Sequence, residues 1–152
     1  MNNTLLTPFC AALQDVLSTM AQLDVELGEQ GVKQGLSAQG EVSGVIALVC
    51  NQQQGSMAIS FSGPLIMAIF ERMLGEAHTE IDAEICDLAG EITNMVTGAA
   101  KPRLVELGFD LALTRPQTFS GNPHDILHNG SGTVLAQRIH SSLGDATLEL
   151  CF

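Results

Sequence analysis

The residue pattern predicts an α/β sandwich, with helices packed on a mainly antiparallel sheet and one long central helix. Three observations predict it. "VSGVIALVC", rich in β-branched residues, is joined by the turn signal "NQQQG" to a further strand, "SMAISFSG", so Val42 to Phe61 reads as a hairpin. A helical pattern runs from about Asp82 to Leu107. The element order is helix, three strands, two helices, three strands, which suits helices laid on an antiparallel sheet.

Each element has its own signal. Thr7-Pro8 opens the first helix, as an N-cap followed by proline at the first helical position, and that helix runs to about Leu23. "DVELGEQGVKQ" reads as a strand ahead of the hairpin. Gly63-Pro64 begins a short helix closed by Gly75. The charged loop "EAHTEID" leads into the long helix, with Gly108 as its C-terminal cap. Three strands complete the chain, "FDLALTRPQTFSG", "TVLAQRIHS" and "DATLELCF", with the loop "NPHDILHNGSG" between the first two. The two halves share an α-β-β-β order, but their residues show no repeat. No linker or low-complexity stretch divides the chain, so residues 1–152 read as one domain.

Composition narrows the function classes. The chain is 45% hydrophobic and has six Phe with no Trp or Tyr, so its core rests on Leu, Ile, Val, Met and Ala. The Met residues read as core. The formal net charge is -11 with six Lys and Arg in all, too few to build a basic patch. That argues against nucleic acid and against anionic membrane surfaces as partners. Cys10, Cys50, Cys86 and Cys151 are far apart with no CxxC pair, which argues against a zinc framework. The N-terminal "MNNTLLTPFC" lacks the basic and apolar regions of a secretory signal, and a cytoplasmic location is the expectation. His124 and His128 have i, i+4 spacing, but their surroundings read as loop, which sets a helical metal pair aside; His78 and His140 read as ordinary surface or strand residues.

The long helix carries "DLAGEITNMVTGAAK", Asp87 to Lys101. With Asp87 at zero and about 100° per residue, Glu91 falls near 40°, Asn94 near -20°, Gly98 near 20° and Lys101 near -40°. Ile85, Leu88, Ile92, Met95, Val96 and Ala99 fall between about 80° and 180° and form the buried face. The polar stripe therefore looks outward, or toward a partner. A solvated helix face is the ordinary reading of such a stripe. Against it, Gly98 costs about 1 kcal/mol relative to Ala at an exposed helical position, and Ala99-Ala100 beside it keep the surface low. That combination suits the approach of another protein's loop.

Glu91 and Asn94 are poor nucleophiles, with no His or Cys at helical spacing to activate one. A carboxamide holds water through both a donor and an acceptor, and a carboxylate pairs with lysine. Water positioning is what phosphoryl hydrolysis requires, because that reaction is governed by alignment and electrostatics.

The stretch resembles the signature of the CheC/CheX/FliY chemotaxis phosphatases: Asp or Ser, three residues, Glu, two residues, Asn, and a later Pro. Here these are Asp87, Glu91, Asn94 and Pro116. "VSGVIALV", "GSMAISFSG", "ERMLGE" and "RPQTFSGNPHDI" are similar to CheX in particular, and there is one Glu/Asn motif where CheC has two. The resemblance covers almost the whole chain. It implies a phosphatase of phosphorylated CheY-like response regulators in two-component signalling. Glu91 would pair with the regulator's active-site lysine and Asn94 would orient the attacking water. Asp87, Gly98 and Lys101 would border the docking face. No cofactor is implied for this chain; Mg2+ would belong to the regulator's own acidic site. A homodimer through β-sheet continuation is implied as well. Pro102, directly after Lys101, removes a backbone donor inside the helix and predicts a kink that tilts Asn94. The alternative reading is a non-catalytic module that docks a receiver with the same helix. A structural role in the flagellar switch is a third.

Overall fold

The computed structural model describes residues 2–152. Its elements are α1 (Asn2–Ala21), β1 (Glu26–Val32), β2 (Val42–Cys50), β3 (Gln53–Phe61), α2 (Gly63–Leu74), α3 (Ala83–Glu106), β4 (Leu111–Leu113), β5 (Gln117–Ser120), β6 (Leu135–His140) and β7 (Ala146–Cys151). The seven strands form one sheet in the order β1-β6-β7-β3-β2-β4, with β5 also paired to β2. Every pairing is antiparallel. None of the described helices is long and apolar enough to cross a membrane.

The helices lie on one face of this sheet. α1 packs against β6, β7 and α3, while α3 packs against β2 and β5. Period-2 alternation decides what they bury. Val42, Ile46 and Leu48 of β2, with Met57, Ile59 and Phe61 of β3, enter the main core beside Phe9, Leu13, Ile85, Ile92 and Val96. The alternate residues Val45 and Ala58 form a separate apolar cluster with Ile126 on the other face. β2 and β3 are thus covered on both sides over much of their length, which fits the near-continuous apolar run of Val45 to Val49 in β2.

The hairpin forms as expected, turning at Asn51 and Gln52, which both have positive φ. α2 also follows its signals. Ser62 Oγ accepts the Leu65 N–H, Pro64 lies in the first turn, and Gly75 closes the helix at φ 76. α3 begins where expected, with Asp82 as N-cap accepting the Ile85 N–H, and Gly108 follows its last turn at φ 88.

Two expectations fail. α1 starts well before Thr7-Pro8 and carries Pro8 inside it. Leu5, Leu6 and Phe9 are buried, and their packing outweighs the donor that Pro8 lacks. Its end comes at Ala21, because Gln22 takes a left-handed conformation. The segment "FDLALTRPQTFSG" is also not one strand. It splits into β4 and β5 on either side of Pro116, and both pair β2. Leu113 faces Leu48 and Gln117 faces Val45, so four steps on one side match three on the other. The extra residue is a bulge, the place where a strand tolerates proline.

Candidate functional site on helix α3

Small residues set how closely α3 approaches the sheet, beside the larger Ile85, Ile92 and Val96 of its core face. Thr93 and Thr97 are fully buried, and their hydroxyls donate to the carbonyls one turn back, Ala89 at 2.8 Å and Thr93 at 2.7 Å. This satisfies each hydroxyl within the helix and leaves its methyl to pack. Opposite lies Gly44 of β2, where a Cβ would stand 2.0 Å from Thr93 Oγ1 and 2.9 Å from the Ala89 carbonyl. Gly90 is similarly close to β5, with Thr118 Cγ2 at 3.0 Å from a hypothetical Cβ. Pro116 therefore ends the bulge one residue before β5, the strand that reaches α3 just ahead of Glu91.

The opposite face of α3 is open. Asp87, Glu91, Asn94, Gly98 and Lys101 are all exposed, while Leu88, Ile92, Thr93, Val96 and Thr97 between them are buried. The stripe is exposed as the angles predict, while Met95 and Ala99, assigned to the buried face, are only partly buried. Among the described residues, the side chains of Asp87, Glu91, Asn94 and Lys101 have no hydrogen bond or ion pair. Lys101 pairs with neither Asp87 nor Glu91. Asp87 and Glu91, one turn apart, are like charges that disfavour the helix by a few tenths of a kcal/mol. A stripe shaped for helix stability would alternate signs; this one keeps a carboxylate and an amide free.

Gly98 has no heavy atom within 4 Å of a hypothetical Cβ. Nothing in this chain needs the glycine, so its low profile faces outward only. Pro102 lies inside α3, which continues to Glu106. The carbonyl without its usual donor is that of Gly98, at the far end of the stripe from Glu91. Close by, Arg103 pairs with Asp15 and ties α3 to α1.

The stripe is exposed along its length. A cavity of about 580 Å³ lies on the other face of the sheet, among Val45, Ala47, Ser56, Arg115, Phe119 and Asn129. His124 and His128 belong to that face and do not act as a helical metal pair. His124 Nε2 lies 2.7 Å from Ser43 Oγ, and His128 bridges Ser56 Oγ at 2.7 Å and Glu149 Oε1 at 3.0 Å. Both anchor the loop before β6 onto the sheet. His78 also departs from the surface reading: its ring packs edge-on against Phe70, with centroids 4.2 Å apart.

Sequence reasoning found the exposed stripe and missed its supports, Thr93, Thr97 and Gly44. Two threonines at i, i+4 within an apolar helix face, and a glycine within a strand, were the available signals.

The sequence profile of the family described as chemotaxis phosphatase CheX matches residues 42–140. The chain belongs to the CheX family. Its structure is similar to chemotaxis protein CheX from Vibrio vulnificus, at 40% identity and a TM-score of 0.89, covering 97% of this chain and 98% of that one. A CheC-like superfamily protein from Shewanella sp. PV-4 is also 40% identical, with a TM-score of 0.91 over 99% of this chain and 98% of that one. The CheX of a CheX–CheY–BeF3–Mg2+ complex from Borrelia burgdorferi shares the fold at 22% identity, with a TM-score of 0.78 over 96% of each chain. No curated protein matches the chain. The family match and these structures agree with the observed fold, helices laid on an antiparallel sheet.

Proposed function

We propose that this CheX-family protein hydrolyses the aspartyl phosphate of a CheY-like response regulator. The observation that carries the reading is the pairing of Glu91 and Asn94: exposed, nearly one turn apart, without partners of their own, on a helix whose other face is fixed to the sheet. Glu91 docks onto the regulator's active-site lysine. Asn94 enters beside the phosphoryl group, where its carbonyl accepts a hydrogen bond from water and its amide donates to the phosphoryl oxygens. The water oxygen attacks phosphorus in line as the bond to the aspartyl oxygen breaks, releasing phosphate and the free carboxylate. The regulator's own Mg2+ neutralises charge on the phosphoryl oxygens; the complex from Borrelia burgdorferi, which contains CheY, BeF3 and Mg2+, supports placing that ion on the partner. Asn94 contributes alignment rather than covalent chemistry.

Asp87 and Lys101 extend the docking face at either end, and Gly98 lets the regulator approach between them. A homodimer by strand continuation would use β1, the free edge formed by a single strand, which is exposed along most of its length. The adaptor reading rests on Pro102, which disturbs α3 beside Gly98 and Lys101. The two readings separate in one assay. A phosphorylated CheY-type receiver is mixed with a sub-stoichiometric amount of this chain, and release of inorganic phosphate is followed. Multiple turnovers support the phosphatase; a complex without acceleration supports the adaptor.

A further inference from the structure

We propose that the connection between α2 and α3 is a site for a divalent transition-metal cation, Zn2+ by its donor set, held by Glu76, His78 and Glu84. One ligand atom from each of the three lies within 4.8 Å of the other two. The chain arrives there by local causes. Gly75, in its left-handed conformation, turns the backbone out of α2. Asp82 then caps α3, which sets Glu84 in the first helical turn.

The histidine is held ready. Its side chain is 10% exposed, and its ring rests against Phe70. Nδ1 is 2.7 Å from Asp82 Oδ2, so in the neutral ring the proton sits on Nδ1 and donates to that carboxylate. The lone pair is left on Nε2, which has no hydrogen-bond partner among the described residues. A carboxylate that orients the non-ligating nitrogen is the usual support of a metal-bound histidine. Asp82 is itself fixed by its hydrogen bond from the Ile85 N–H, 3.0 Å long.

Charge favours a cation as well. Residues 76–87 contain Glu76, Glu80, Asp82, Glu84 and Asp87 and no Lys or Arg. Neither Glu76 nor Glu84 makes an ion pair among the described residues. The positive end of the α3 dipole amounts to about half a charge and is already met by the Asp82 cap. One nitrogen and two carboxylate donors suit Zn2+, whereas Mg2+ prefers oxygen throughout. Ligand atoms around Zn2+ stand roughly 3.4 Å apart, so the exposed glutamates need only a small rotation to close the site. Three protein donors leave a position for water. Sequence reasoning assigned this chain no metal, because Glu76 and Glu84 are separated by eight positions and meet only through the turn.

The test uses the full chain stripped by chelator. Zn2+ is titrated against a chromophoric chelator, and Co2+ binding is read from its visible absorption. One ion per chain is expected, with no thiolate charge-transfer band. Glu76→Gln, Glu84→Gln and His78→Ala should each weaken binding at least about 10-fold, and Asp82→Asn, which retains a capping side chain, about 10-fold through the lost orientation of His78. Should His78→Ala fail to fold, the two exposed glutamate variants decide. A thiolate band, unchanged affinity in Glu76→Gln/Glu84→Gln, or no Zn2+ binding at about 0.1 mM would overturn the site.

Discussion

Thr93 of α3 lies directly over Gly44 of β2, so close that a methyl group on Gly44 would stand 2.0 Å from the threonine hydroxyl. Asn94 is the next residue. The depth and rotation of the helix that carries Asn94 are therefore set by a glycine in the sheet beneath it. Gly44→Ala should destabilise the fold by about 1–3 kcal/mol through overpacking. It should also lower phosphatase activity in the fraction that remains folded, because Asn94 moves with Thr93. Denaturant unfolding and an activity assay normalised to folded protein check the two effects separately.

Gly98 makes the opposite prediction. It is exposed and helical, and its surroundings leave space for a methyl group. Gly98→Ala should raise stability by about 0.4–1 kcal/mol. If the low surface admits a regulator, the same substitution should raise KM for the phosphorylated regulator. A stability gain with unchanged KM would remove Gly98 from the docking face.

The far face of the sheet holds a buried charge cluster. Glu149 Oε1 lies 3.0 Å from Lys33 Nζ and 3.0 Å from His128 Nε2, and Glu149 Oε2 is buried without a hydrogen-bond partner among the described residues. Lys33→Met leaves the carboxylate with less compensation and should cost about 3 kcal/mol or more. The double change Lys33→Met/Glu149→Leu should recover most of that loss. Thermal melts of the single and double variants give the comparison.

Stability should depend on pH at two marked places. His140 is raised above its ordinary value of 6.5, first by its hydrogen bond to Asp145 and then by the charges of Asp145 and Glu29. A raised pKa means the folded state holds the proton more tightly. That contribution is complete below about 6.5 and fades as pH rises through the folded value. Asp82 is lowered below 3.8, chiefly by the Ile85 N–H. Its contribution is present above that value and is lost as pH falls through the folded one. His140→Gln should flatten the first slope in a pH series of melts, and Asp82→Ala the second.

Much of this was legible in the residues. The hairpin, the Gly63-Pro64 start and Gly75 end of α2 and the limits of α3 follow from local signals with physical causes: a polar turn, a proline in the first helical turn, a glycine C-cap. The stripe was legible because helical spacing converts directly into angle. The misreadings have a common origin in long-range packing. Burial of Leu5, Leu6 and Phe9 carries α1 past Pro8, and pairing with β2 decides where the β4–β5 segment breaks. Thr93 became meaningful only once Gly44 was known to face it. His78 looked like a surface residue because neither Phe70 nor Asp82 announces in sequence that they enclose it.

The central claim is that Asn94 positions water for attack on a regulator's phosphoryl group while Glu91 docks. The most direct measurement is the dephosphorylation rate of a phosphorylated CheY-type receiver with Asn94→Ala and Glu91→Ala, each verified as folded by thermal melt. The account predicts that Asn94→Ala lowers kcat by at least about 100-fold with binding retained, and that Glu91→Ala weakens binding of the receiver. Wild-type rates in a folded Asn94→Ala protein would contradict it.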